Sequence, residues 1–135
     1  MAGYSKRSLP EKLGIKEGSR IAIVNPPEDY EKTLGELPDG VTIVVKAGNR
    51  LDLIQCFVPD KTAAEIAVSS MKEKIAPGGA LWISWPKGSS NVKTDVNEDV
   101  IREIALRNGL VDVKVCAVDA TWSGLKLVYR LKDRP

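Results

Sequence analysis

The chain has 135 residues, 43% of them hydrophobic and 28% charged, with a net charge of +2; that excludes disorder over the whole chain and suits one domain with its own core. Histidine is absent, which excludes Ser-His and Cys-His nucleophile pairs and leaves acid-base chemistry to carboxylates, Lys, Tyr or Cys. So small a net charge argues against nucleic acid as a partner, and no CxxC spacing starts a zinc site.

Residues 1–19 read as a polar arm and a short helix, followed by a single α/β domain over 20–135. Leu9, Leu13 and Ile15 supply the helix's apolar contacts, Pro10 suits its first turn, and Gly14 and Gly18 break it. Residues 20–25 (RIAIVN) are a short β-rich run that stops at Pro26-Pro27, which cannot donate ladder hydrogen bonds. Residues 28–36 predict a short helix with Tyr30, Leu34 and Leu37 as its stripe, and Pro38-Asp39-Gly40 is a turn. A second strand covers 41–47 (VTIVVKA), closed by Gly48-Asn49, and a third covers 51–58 (LDLIQCFV).

Pro59 and Asp60 open a helix over 61–75, in which Ala64, Ala67, Val68, Met71 and Ile75 recur at amphipathic spacing until Pro77-Gly78-Gly79 ends it. A fourth strand spans 80–85 (ALWISW), and 86–93 is a Gly/Ser loop. The next helix starts near Asp95, where Asp95 and Glu98 fit a capping box; Val100, Ile101, Ile104, Ala105 and Leu106 form its buried side, and Gly109 stops it. Strands at 111–118 and 125–131 are joined by a short link, which predicts an antiparallel hairpin. Apolar strands alternating with helices imply a mostly parallel sheet covered on both faces.

Several strings carry a resemblance. Residues 13–21 (LGIKEGSRI), 51–54 (LDLI) and 74–82 (KIAPGGALW), with the terminal hairpin, resemble the segments around the first, fourth and fifth strands and the last two strands of Rossmann-like methyltransferases. This resemblance implies six strands in the spatial order 2-1-3-4-6-5, with one strand and one helix of the full fold missing. The chain also resembles, from end to end, a family of small uncharacterised bacterial proteins, a domain of unknown function. The matching strings are AGYS (2–5), KLGI (12–15), NPP (25–27), LPDGV (37–41), WISWPK (82–87), TD (94–95), GLVD (109–112), KVCAVD (114–119) and WSGL (122–125).

The methyltransferase resemblance implies a Gly-rich turn after the first strand and an acid at the end of the second. Here the turn is Asn25-Pro26-Pro27-Glu28, with φ fixed at two positions and two N–H donors removed, and the second strand ends Val45-Lys46-Ala47. Asn25-Pro26-Pro27 is also similar to the Asn-Pro-Pro-aromatic motif of amino-methyltransferases, but it follows the first strand and precedes Glu28, so it reads as a rigid strand stop. These departures point to a non-catalytic binding or interaction module, with no catalytic set, no metal and no cofactor assigned.

Ligands of open α/β sheets lie beyond the carboxyl ends of the strands. The candidates there are Asn25, Trp85, Lys87, Ser89, Ser90 and Asp95, and an enzyme or nucleotide-binding protein using the 85–90 loop and Asp95 is the alternative reading. Asp119 and Trp122, in the hairpin turn, are interface candidates; Trp122 is expected to fold back onto the domain, and Asp119 to pair with Lys114 and Lys126. Tyr4 and Tyr30 read as partly buried. The basic residues at both ends, among them Lys12, Lys16 and Lys126, read as solvated surface. Partners are expected to be a small molecule or a protein, with a homodimer through edge strand two or five open to the chain. Residues 1–7 are polar, no apolar run approaches ~20 residues, and Cys56 and Cys116 sit in apolar runs as a reduced, buried pair. Together these point to the cytoplasm.

Overall fold

The computed structural model describes residues 7–45, 50–90 and 92–133. Helix α1 (Leu9–Leu13) leads into strand β1 (Arg20–Val24), helix α2 (Tyr30–Leu34), strand β2 (Thr42–Ile43) and strand β3 (Leu51–Phe57). Helix α3 (Lys61–Met71), strand β4 (Ile75–Pro86), helix α4 (Glu98–Arg107) and strands β5 (Leu110–Ala117) and β6 (Trp122–Tyr129) follow. The strands form one sheet in the order β2-β1-β3-β4-β6-β5. β2, β1, β3 and β4 run parallel, and β6 is antiparallel to both β4 and β5. This is the mostly parallel six-stranded order expected from the sequence. No helix among the described residues is long and apolar enough to cross a membrane.

Alternation along the strands divides the core in two. On one face Ile54, Leu81, Ile83 and Leu125 meet Val68 of α3 and Ile104 of α4. On the other, Ile21, Leu53, Phe57 and Trp82 meet Leu13 of α1 and Tyr30 and Leu34 of α2. Each such side chain contributes about 1.5–3 kcal/mol when fully buried. Among the described residues, the helices that cover the second face are two of five residues each, and these are far too short to persist alone. Helix α1 is held by a capping box between Ser8 and Glu11, by a left-handed Gly14 at its end (φ 88°), and by Trp82, whose Nε1 donates to Leu13 O at 2.8 Å.

Several boundaries differ from the sequence reading; the last strand, for one, begins at Trp122 rather than at 125, and the helix expected over 28–36 is shortened to Tyr30–Leu34. The helix expected over 61–75 stops at Met71, passes through a 3-10 turn (Lys72–Lys74), and gives Ile75 to β4 as the partner of Leu51. The Tyr129 hydroxyl donates to Lys72 O at 2.7 Å, satisfying a carbonyl that a continuing helix would have used. Pro77-Gly78-Gly79 therefore does not end a helix. Leu51 pairs with Ile75 but Leu53 with Ala80, so 76–79 bulge out opposite Asp52. The fourth strand consequently begins before Ala80. Strand β2 is reduced to two residues, with Ile43 half exposed and Val45 fully exposed; Lys46, Ala47, Gly48 and Asn49 lie outside the described residues. Finally, α4 begins at Glu98 with Asn97 as its cap, its Oδ1 accepting from Val100 N at 2.9 Å. The capping box at Asp95 and Glu98 does not form, because Asp95 is bonded elsewhere.

The bulge makes a testable demand on Gly79. A Cβ there would lie 2.8 Å from Leu51 O and 2.9 Å from Asp52 O, whereas one on Gly78 would meet nothing within 4 Å. Gly79→Ala is expected to destabilise by about 1–3 kcal/mol, and Gly78→Ala to stay within about 0.5 kcal/mol of the parent, as measured by urea unfolding.

Candidate functional site

The carboxyl ends of β1, β3 and β4 converge at one end of the sheet. At β1, Asn25 takes a left-handed conformation (φ 54°), which Asn tolerates better than most residues. Pro26 and Pro27 follow, and Tyr30 N donates back to Pro27 O at 3.2 Å. Beside this turn, between β1, β3 and α3, lies an apolar groove of about 280 Å³ lined by Val24, Asn25, Cys56, Val58, Ala67 and Met71.

Several carboxylates and hydroxyls of this end hold loops. Asp60 caps α3, its Oδ1 accepting from Ala63 N at 2.8 Å, while Asp95 Oδ1 accepts from Lys61 N at 2.7 Å. The α3 N-terminus, the sort of place where an anion would bind, already has two carboxylates of the chain itself. Thr94 Oγ1 donates to Pro59 O at 2.7 Å and fastens the same loop. After β4, Lys87 N donates to Thr121 O, and the Ser90 hydroxyl donates to Lys87 O at 2.6 Å inside a 3-10 turn (Gly88–Ser90) that also contains Ser89.

The expected set therefore does not converge. Trp85 is 5% exposed and sits in the core against the α3 and α4 face, so it presents no aromatic surface to a ligand. Alternation in β4 decides this: Trp85 shares a face with Leu81 and Ile83. Asp95 is a helix-end acceptor, Ser90 closes its own turn, and Lys87 is half-buried. Only Asn25 of the six lines the groove.

In the hairpin turn, Asp119 Oδ1 accepts from Thr121 N and Trp122 N, both at 2.8 Å. The ion pair expected with Lys114 and Lys126 is absent among the described residues; those two lysines face each other across β5 and β6 instead. Trp122 folds back as expected, edge-on to Phe57 with ring centroids 5.1 Å apart, and Phe57 meets Tyr30 at 4.8 Å. Tyr30 is buried more fully than expected, at 2% exposure; Tyr4 lies outside the described residues. Cys56 is buried, Cys116 only partly, and both are free thiols.

Two residues missed by the sequence reading lie beneath this end. The Tyr30 hydroxyl donates to Gln55 Oε1 at 2.6 Å, and Gln55 Nε2 donates to Ser84 Oγ at 3.2 Å, with Gln55 and Ser84 both buried. The available signal was a polar residue interrupting each apolar strand, in LDLIQCFV and ALWISW. Burial pushes the Tyr30 phenol well above its ordinary value, with a smaller opposing effect from Gln55. Burial likewise raises the Cys56 thiol from 9.0 to about 12. These groups are protonated at neutral pH and buried, which suits a structural role.

A SAM-dependent methyltransferase from Aquifex aeolicus superposes with a TM-score of 0.59 at 16% identity, over 87% of this chain and 85% of the other. The fold is methyltransferase-like. The fibrillarin pre-rRNA processing protein of Methanococcus jannaschii gives 0.58 at 13% identity, over 85% of this chain and 68% of its own. A possible exported protein from Bordetella parapertussis gives 0.62 at 12%, over 89% of this chain and 64% of its own. At such identities the likeness concerns the fold alone. No protein-family model and no curated protein matches the chain.

Two measurements test these buried groups. Tyr30→Phe leaves Gln55 Oε1 without its donor and is expected to cost about 1–3 kcal/mol in urea unfolding. The second concerns Cys56. The folded state keeps this proton up to about pH 12 while the unfolded chain releases it near 9.0, so folding binds protons and stability falls as pH rises through that window. Thermal unfolding between pH 8 and 11 should therefore decline less steeply in Cys56→Ala than in the parent; Tyr30 adds a loss of the same sign to both.

Proposed function

We propose that this protein is a non-catalytic binding module on a methyltransferase-like fold, whose carboxyl end does not take S-adenosylmethionine. The observation that carries this reading is the turn after β1. A cofactor cradle needs flexible backbone and free N–H donors. Here Pro26 and Pro27 supply neither, and Tyr30 N is bonded to Pro27 O. The carboxylates at the same end support the reading, since Asp60, Asp95 and Asp119 each accept from backbone N–H groups. What remains open is the apolar groove beside Asn25, which suits an apolar group of a small molecule or of a protein partner.

The alternative of an enzyme working through the 85–90 loop is not favoured, because Trp85 faces the core and Asp95 holds α3. The end-to-end string matches described above support placing the chain with the small bacterial family, and the reduced cysteines support the cytoplasm.

The test is titration with S-adenosylmethionine and S-adenosylhomocysteine. A ligand present at a hundred times its Kd adds about 2.7 kcal/mol of stability, several degrees for a domain of this size. No shift and no binding heat is expected at about 1 mM of either compound, where even a Kd near 10 µM would give that full effect. Saturable binding in that range would overturn the proposal.

A further inference from the structure

The opposite end of the sheet has the reverse electrostatic character. At the amino ends of β1, β3 and β4, α1 and the 76–79 bulge enclose a cavity of about 390 Å³, lined by Gly14, Lys16, Ser19, Asp52, Gly78 and Lys126 among others. Its volume falls in the range of small-molecule sites, about 300–1,000 Å³.

The lysines here were expected to be solvated surface; Lys16 is exposed, as expected, but Lys114 and Lys126 are partly buried. Lys126 Nζ lies 3.7 Å from the point where a Cβ on Gly14 would stand. It is the direct cross-strand partner of Lys114, whose own Nζ donates to Lys12 O at 3.1 Å. Like charges directly opposite on a sheet are destabilising. Among the described residues no carboxylate forms an ion pair with Lys16, Lys114 or Lys126. Burial first, then the neighbouring Lys114 and Lys16 charges, pull the Lys126 ammonium below its ordinary pKa.

One carboxylate lies in the lining. Asp52 Oδ2 accepts from Arg20 N at 2.8 Å, which anchors the side chain and leaves its other oxygen to accept from a hydroxyl. Clustered ammonium groups answer a phosphoryl group, with Lys acting as a point charge. A fixed carboxylate acceptor beside them answers a sugar hydroxyl.

We infer that this amino-end cavity binds a phosphorylated sugar, either free or as part of a nucleotide, with Lys16 and Lys126 on the phosphate and Asp52 on a hydroxyl. The half-open pocket, walled by α1 and the 76–79 bulge, favours a small molecule over a nucleic-acid strand, which would track a long basic groove. This site is separate from the carboxyl-end groove, so neither reading depends on the other.

Calorimetric titration and thermal shift of the whole chain with ribose 5-phosphate, AMP and unphosphorylated ribose test the inference, with sodium chloride at matched ionic strength as control. Ribose 5-phosphate is expected to bind saturably and ribose not to bind. Lys126→Gln and Lys16→Gln should each weaken binding by about tenfold. Without ligand, Lys126→Gln should melt no lower than the parent, since it relieves the pair with Lys114; that keeps lost binding distinct from lost folding. Equal affinity for AMP and ribose 5-phosphate would identify the sugar phosphate as the recognised unit, and tighter AMP binding a nucleotide. The inference is overturned if the shift matches that from sodium chloride, or if Lys126→Gln binds as the parent does. It is also overturned if only a single-stranded oligonucleotide binds and ribose 5-phosphate fails to compete.

Discussion

The hydrogen bond from Trp82 to Leu13 organises one whole face of this molecule. Trp82 lies in the middle of β4, fully buried, with its ring close against Gly124 of β6. A buried indole needs an acceptor for its N–H, and it finds one in the last residue of α1. That contact converts a five-residue helix, which has no stability of its own, into a fixed wall. Leu13 and Ile15 then complete the core of that face. Because Gly14 and Lys16 follow directly, the same contact places the arm beside Lys126 and closes the lysine cavity.

The two ends of the sheet use charge in opposite ways. At the carboxyl end, Asp60, Asp95 and Asp119 satisfy backbone N–H groups of α3 or of the hairpin turn. At the amino end, lysines are brought together and, among the described residues, none of them forms an ion pair with an acid; like charges set opposite each other cost stability. A similar contrast separates the charges that are purely structural. Arg102 bonds to Glu98, Asp99 and Asp112 at once and joins α4 to β5; its neighbours raise its already high pKa. Lys126, by contrast, has its positive charge opposed by its surroundings.

The buried chain Tyr30-Gln55-Ser84 links α2, β3 and β4 by polar contacts across an otherwise apolar layer. Such a network is tolerated because each member has a partner. It also sets the position of α2, whose own length could not. Phe57 lies edge-on to both Tyr30 and Trp122, which extends this layer into the apolar core of the same face.

The amino-acid sequence by itself determined the class of the fold, because that follows from local patterns, while the strand order was what the resemblance to Rossmann-like methyltransferases implied. Apolar runs alternate with amphipathic helices, the last two strands have too short a link for a crossover, and prolines end β1. It also showed that the turn after β1 has two N–H donors fewer, since proline's missing N–H is a property of the residue itself. Tertiary structure alone decided where Trp85, Asp95 and Lys126 point. Trp85 turned inward by the register of β4, Asp95 left its own helix for the N-terminus of another, and Lys126 met Lys16 across more than a hundred residues of chain. Each of these is a long-range pairing, and a side chain's local pattern holds no information about which distant backbone or charge will be set against it.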